Sequence, residues 1–274
     1  MTFPHIDAAT QDVIDDAQAD FFRANGLLVL RNVVRGEELA RLQRETQALV
    51  DRAVAGVDDP DYMYQEHPQT RQRVPMRVEY VIDKTPACRA LLGHPFMLRT
   101  VEKLQGRNFI PTWDSMVFKN EGAGAPIWWH RDSGTGNGAD PARQPIFNVD
   151  FYLDQADLSN CLWGLPGTNH WDDARASAEC ARRNADGVFL SDGAVPIQMQ
   201  PGDVILHNIL ALHGSPPTRT RLRRVLYYEF RAGEIERAHG PHRAEYAPLK
   251  QEVLLASLRH RAQASYTRGE KPFA

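Results

Sequence analysis

Trp128-Trp129-His130-Arg131-Asp132 makes chemical sense as extended chain. In a β-strand, residues i and i+2 point to the same face. His130 and Asp132 then aim at one point, and Arg131 is turned away. A His-x-Asp pair completed by one distant histidine is the donor set of a 2-His-1-carboxylate facial triad, the ligand pattern of non-haem iron(II). The distant partner is His213, in the stretch His213-Gly214-Ser215 that leads to Arg224. Three donors close one face of an octahedron and leave the opposite face for a cosubstrate and dioxygen. The motif therefore asks for a β-rich fold in which strands meet at an ion.

Working outward, the chain supplies those strands. Phe147–Leu153 is a clear strand, and Asn148, Asp150 and Tyr152 share one of its faces. Phe109–Lys119 is strand-like, with Trp113, Ser115, Val117 and Lys119 on one face. Leu27–Val34 is a short apolar, β-favouring run. Val195–Met199 and Asp203–Leu206 flank the turn residues Pro201-Gly202, and Ala211–Ser215 and Arg224–Arg231 follow. Arg77–Ile82 alternates as a further strand. Helical spacing is confined to the flanks: 13–25, ended by Asn25-Gly26; 36–55; 86–104, broken at Gly93-His94-Pro95; a polar excursion over 171–187; and 248–265. Residues 56–75 show little periodicity and read as a long loop, a candidate lid. Residues 133–145, rich in Gly, Asn and Pro, also read as loop.

Helices first, many short strands next and a helix last imply a mainly β protein with flanking helices. A double-stranded β-helix (jelly roll, cupin-like) core removes the sheet edges. Residues 1–274 are expected to form a single domain. Its parts are a mostly helical portion over 1–105, the jelly-roll core over 106–232 and a helical tail over 233–274.

Composition narrows the partners. A net charge of -3 gives no reason to expect nucleic acid or an anionic membrane. No run approaches a membrane span, and the first residues lack the apolar stretch of a signal peptide. Cys88, Cys161 and Cys180 are scattered and odd in number, which argues for free thiols in a reducing compartment. The expectation is a cytoplasmic protein acting on a small molecule; oligomeric state is not legible.

Arg224 stands 11 residues after His213. A 2-oxoglutarate chelating iron through its keto acid needs a cation and a hydroxyl at its far carboxylate. The planar fork of arginine meets a carboxylate in bidentate fashion. Arg224 is assigned that role together with Ser215, which shares the His213 face, and Lys119 as a further contact. Arg221 and Arg223 compete. Alternation turns Arg223 away from the face of Arg224, and the pattern leaves Arg221 open.

These segments together resemble the phytanoyl-CoA dioxygenase family of iron(II)/2-oxoglutarate oxygenases over most of the chain. Ala19–Leu30 resembles the family's first helix and strand. Trp129-His130-Arg131-Asp132 resembles its W-H-x-D, and Pro166-Gly167-Thr168-Asn169-His170 its P-G-S-H segment. Gly202-Asp203-Val204 through His213-Gly214-Ser215 and Arg224 resembles its G-D-V…H-x-S…R. The resemblance implies His130, Asp132 and His213 as iron ligands, Arg224 and Ser215 as 2-oxoglutarate anchors, and dioxygen as oxidant. Departures fall at Arg131, often Gln in the family, at Thr168, usually Ser, near Thr218, often Asn, and around Asp150, often Trp. The presence of Asp132, where radical halogenases have a small residue, argues for oxygenation.

The expected reaction is hydroxylation of an unactivated C–H of a small polar metabolite in natural-product biosynthesis, releasing succinate and carbon dioxide. Desaturation, ring closure or alcohol oxidation by the same chemistry is the alternative outcome. Asn148, Asp150, Trp128 and Trp113 are the candidate substrate contacts, against the plainer reading of the tryptophans as core. His170 and His207 are expected to be supporting residues. A non-catalytic metal-binding jelly roll or a zinc hydrolase on the same scaffold would need the ligands but no keto-acid anchor.

Overall fold

The computed structural model describes residues 3–4, 6–132, 146–187, 189, 192–218, 221–240 and 242–273. The loop expected over 133–145 lies outside the described residues. The elements run α1 (Asp16–Asn25), β1 (Leu27–Leu30), α2 (Gly36–Val54), β2 (Tyr62–Glu66), β3 (Arg73–Glu79), α3 (Val81–Lys84), α4 (Pro86–Leu92) and α5 (Pro95–Gln105). They continue β4 (Phe109–Lys119), β5 (Ile127–His130), β6 (Phe147–Tyr152), β7 (Leu162–Leu165), α6 (Asp173–Asp186) and β8 (Val195–Ile197). The last are β9 (Val204–Asn208), β10 (Leu212–Ser215), β11 (Arg223–Ala232), α7 (Gly233–His239) and α8 (Tyr246–Ala262).

Local signals set the helix ends. Asp15 accepts from the Gln18 amide at 2.8 Å while the Gln18 side chain accepts from the Asp15 amide at 2.9 Å, a reciprocal cap on α1. Gly26 ends that helix at φ 71°, a conformation that a side chain disfavours.

Seven strands form one sheet, β1-β9-β6-β11-β4-β3-β2, and four form another, β5-β10-β7-β8; the paired strands are antiparallel. Alternation along the large sheet feeds two cores. Leu28 and Leu30 of β1, Val149 and Phe151 of β6, and Leu226 and Tyr228 of β11 pack toward the helices. Leu27, Val29, Tyr152 and Val225 pack against Trp129, Leu162 and Leu212 of the small sheet. Both faces of β1, β6 and β9 are covered, so these strands are buried along their length. The architecture is a jelly roll with flanking helices, as the strand pattern implied; most pack on the large sheet, and α6 lies against β5 of the small one.

Two expectations fail. Residues 56–75 are not a structureless loop: Tyr62↔Val78 and Glu66↔Arg73 pair β2 with β3 in a hairpin on the edge of the large sheet. Tyr62 and Tyr64 of β2, and Val74, Met76 and Val78 of β3, alternate and carried that strand signal beneath the polar residues. The strand expected over 77–82 stops at Glu79, because Tyr80 takes a left-handed conformation at φ 55° and α3 begins behind it.

Candidate active site

β5 and β10 pair so that His130 lies directly across from His213. Asp132 follows just past the end of β5, its amide held by Ile209 O at 3.0 Å. The three side chains converge, with potential ligand atoms within 4.8 Å of one another. Asp132 Oδ1 is 3.3 Å from His130 Nε2 and 3.5 Å from His213 Nε2. Each ring is oriented from behind: His130 Nδ1 sits 2.7 Å from Trp128 O, and His213 Nδ1 3.0 Å from Ala211 O. Donation of Nδ1–H to those carbonyls leaves both Nε2 lone pairs free toward the carboxylate, the tautomer that metal ligation requires. Burial pushes the His213 imidazole down to about 3, which keeps it neutral despite Asp132. Burial opposes ionisation of Asp132 too, but the hydrogen bond and positive charge of His207 help hold it well below the usual carboxylate range. Two nitrogens and one carboxylate oxygen on one side of a point fit an open-faced iron(II) site.

Arg131 is resolved as a brace. Its Nη2 donates to Thr168 O at 2.8 Å and Trp171 O at 2.7 Å, and its Nη1 meets Asp173 at 3.0 Å. It points away from His130 and Asp132 on either side and ties them to the turn before α6. His170 bonds Arg23 O at 3.0 Å and takes no part in the site.

The arginine assignment is corrected. Arg224 shares a face with Leu226 and Tyr228, but that face meets the helices. Its guanidinium forks onto Asp154 at 2.8 and 2.7 Å and reaches Gln43 O of α2 at 2.7 Å. Arg223 points between the sheets and is 1% exposed. Its Nη1 donates to Asn160 O at 2.6 Å, and its Nε has no partner among the described residues. Ser215 Oγ, Thr218 Oγ1 and Asn160 Nδ2 are also buried without partners among the described residues. Lys119 lies on the same side, 2% exposed, with Nζ donating to Ser215 O at 3.1 Å and to Pro216 O. Burial, aided by Arg223, holds the Lys119 ammonium well below its ordinary value. Neither cation is paired with an acid among the described residues. Buried donors are normally satisfied, so two basic groups and three polar side chains left over fit a carboxylate. Arg221 sits at the surface against Gln155 and Asp157.

A cavity of about 300 Å³ opens at His130, Asp132 and His213, with Met76, Arg77, Trp113, Asn148, Tyr227 and Glu229 on its walls. Asn148 and Trp113 line it, and the Trp113 indole N–H is fixed by Glu79 at 2.9 Å. Trp128 and Asp150 do not. An extra residue in β5, where His130 pairs with His213 but Ile127 with Ser215, turns Trp128 outward to stack on Phe189. Asp150 is buried beneath the site, its Oδ2 2.5 Å from His207 Nδ1. Sequence reasoning missed Arg77 and Glu229, which arrive on strands whose facing could not be read without their register.

The sequence profile of the phytanoyl-CoA dioxygenase family (PhyH) matches residues 22–225. The chain belongs to the phytanoyl-CoA dioxygenase family. By membership it is a non-haem iron(II)- and 2-oxoglutarate-dependent dioxygenase, using iron(II), 2-oxoglutarate and O2. It is similar to Dioxygenase cdmD of Talaromyces verruculosus, at 24% identity over 87% of this chain and 78% of that protein. Its fold is similar to AviO1 from Streptomyces viridochromogenes Tue57, with TM-score 0.64, 24% identity and coverage of 78% of this chain and 93% of that one. It is also similar to EctD from S. alaskensis, solved with 2-oxoglutarate and 5-hydroxyectoine, with TM-score 0.65, 21% identity and coverage of 81% and 77%. Among the described residues no helix is long and apolar enough to cross a membrane.

Proposed function

We propose that this family member hydroxylates an unactivated C–H of a small polar metabolite, in natural-product biosynthesis, with His130, Asp132 and His213 as the iron ligands. The observation that carries the reading is the convergence of two Nε2 atoms and Asp132 Oδ1, with Arg223 and Lys119 buried between the sheets and unpaired with an acid among the described residues. Iron(II), when bound, supplies dioxygen activation coupled to decarboxylation of 2-oxoglutarate to succinate. Everything else falls to the chain. Arg223 receives the far carboxylate of 2-oxoglutarate as a charge-assisted fork, and Ser215, Thr218 and Lys119 surround it. Leu162, Val117 and Ile127 bring apolar wall to the cavity and limit water around the chelate.

The substrate meets the opposite wall. Arg77 and Glu229 bring charges of both signs, and Trp113 offers a ring face. Glu229 Oε1 is already engaged by Thr112 at 2.5 Å and Arg231 at 2.9 Å. A compact substrate with hydroxyl, amine or carboxylate groups matches that lining better than a hydrocarbon chain does.

Anaerobic titration of the protein with iron(II) and 2-oxoglutarate tests the centre. A weak visible charge-transfer band is expected from the wild type and none from Asp132→Ala. Equal bands from both would refute the triad. Succinate release measured across a panel of hydroxylated and zwitterionic metabolites then tests the substrate class; stimulation only by long-chain acyl compounds would overturn it.

A further inference from the structure

Asp132 has two carboxylate oxygens with different surroundings. Oδ1 faces His130 and His213. Oδ2 is held from the other side: His207 Nε2 lies 2.6 Å away and the Asn148 amide donates to it at 2.9 Å. His207 is itself held, its Nδ1 2.5 Å from Asp150 Oδ2. The backbone builds this chain directly. Asn148 and His207 are register partners across β6 and β9, and Asp150 is two residues along the same face of β6. His207 is 0% and Asp150 1% exposed. Neither touches the cavity.

We propose that Asp150, His207 and Asn148 act as positioning residues that fix Asp132 with only Oδ1 toward the metal. The proposal rests on the ligand reading above. Asp132 lies past the end of β5, and its side chain keeps 26% of its surface exposed. The backbone of β5 alone therefore does not set its rotamer. An unrestrained aspartate can swing its second oxygen onto a metal and occupy a position that the cosubstrate needs. Two hydrogen bonds on Oδ2 prevent that, and Asp150 prevents the imidazole from turning. Partners behind a ligand of this kind ordinarily change metal affinity by about 10–100-fold.

The experiment is Mn(II) binding to the apo protein by electron paramagnetic resonance, alongside the charge-transfer band of the anaerobic iron(II)/2-oxoglutarate complex. His207→Phe is expected to weaken Mn(II) binding by about 10–100-fold and to shift or broaden the band. His207→Gln, whose amide can still donate to Oδ2, is expected to stay within about 3-fold of wild type. His207→Phe binding as tightly as wild type, or His207→Gln failing as badly as His207→Phe, overturns the positioning role and leaves packing. If His207→Phe does not fold, Asp150→Leu, which removes the acceptor behind the ring, is expected to weaken Mn(II) binding by about 3–10-fold with a shifted band; unchanged binding and band overturn the proposal. Absence of Mn(II) binding by the wild type would instead strike the ligand reading.

Discussion

Arg223 and Arg224 are neighbours in sequence and opposites in environment. Arg224 faces the helices with its fork closed on Asp154 and a further bond to Gln43. Arg223 faces the small sheet near Lys119, and its Nε and three neighbouring polar side chains have no partner among the described residues. Both are at least nine-tenths buried. A folded chain satisfies its buried polar groups unless a ligand is to do so. Arg224 obeys that rule from within the fold. Arg223 would obey it with an anion present, so on the proposed reading one side of β11 is scaffold and the other is binding site.

Substitution separates the two. Arg224→Met strands the Asp154 carboxylate, and loss of one partner of a buried pair costs about 3 kcal/mol of stability. The urea midpoint is expected to fall while the KM for 2-oxoglutarate stays within about 2-fold. Arg223→Met is expected to do the reverse. Removing a buried cation that the protein itself leaves partly unsatisfied changes stability little, while the KM for 2-oxoglutarate rises by about 30–100-fold, or about 2–2.7 kcal/mol. A large KM effect from Arg224→Met with none from Arg223→Met would restore the arginine that the sequence suggested.

That choice marks where the sequence stops being legible. The cluster of His130, Asp132 and His213 was legible from parity within one short stretch plus one distant histidine. The proposed anchor needed parity between strands. Tyr227 pairs with Asp150, and Glu229 with Asn148, across β11 and β6. The polar face of β6 therefore continues into Tyr227, Val225 and Arg223, while Leu226 and Tyr228 join Phe151 and Val149 on the helix side. Consistent alternation across the pair would have selected Arg223. The bulge in β5 is harder, because nothing in Ile127–His130 announces an extra residue, and it sends Trp128 outward. The β2–β3 hairpin was hidden by polar residues on an edge strand, where one face meets solvent.

The helix-facing side carries its own burden of charge in Asp114. Burial raises its carboxyl from 3.8 to about 6, against the opposing bond from the Ile82 amide at 3.0 Å. A raised folded value means that the folded state holds the proton more tightly than the unfolded one. The destabilisation is absent below about pH 3.8, grows as pH rises and is complete above about 6. Asp114→Asn keeps an oxygen for Ile82 and carries no charge. Its stabilisation relative to wild type is expected to be about 2 kcal/mol greater at pH 8 than at pH 4.5 in urea unfolding. An equal gain at both pH values would show that the carboxylate is solvated in the folded protein.

Ser215 gives the smallest and most discriminating effect. Its Oγ is buried and has no partner among the described residues, so the apo protein loses no hydrogen bond to them when the hydroxyl is removed. An unpaired buried hydroxyl costs stability through desolvation. Ser215→Ala is therefore expected to leave the melting temperature of the apo protein unchanged or slightly raised. With 2-oxoglutarate present the hydroxyl gains an acceptor, so the same variant should raise the KM by about 3–10-fold, near 1 kcal/mol. The signature is a stabilising shift with 2-oxoglutarate that is smaller in the variant than in the wild type. A variant that melts lower when apo, yet gains as much from 2-oxoglutarate, would place the hydroxyl in the scaffold with Arg224 rather than in the site with Arg223.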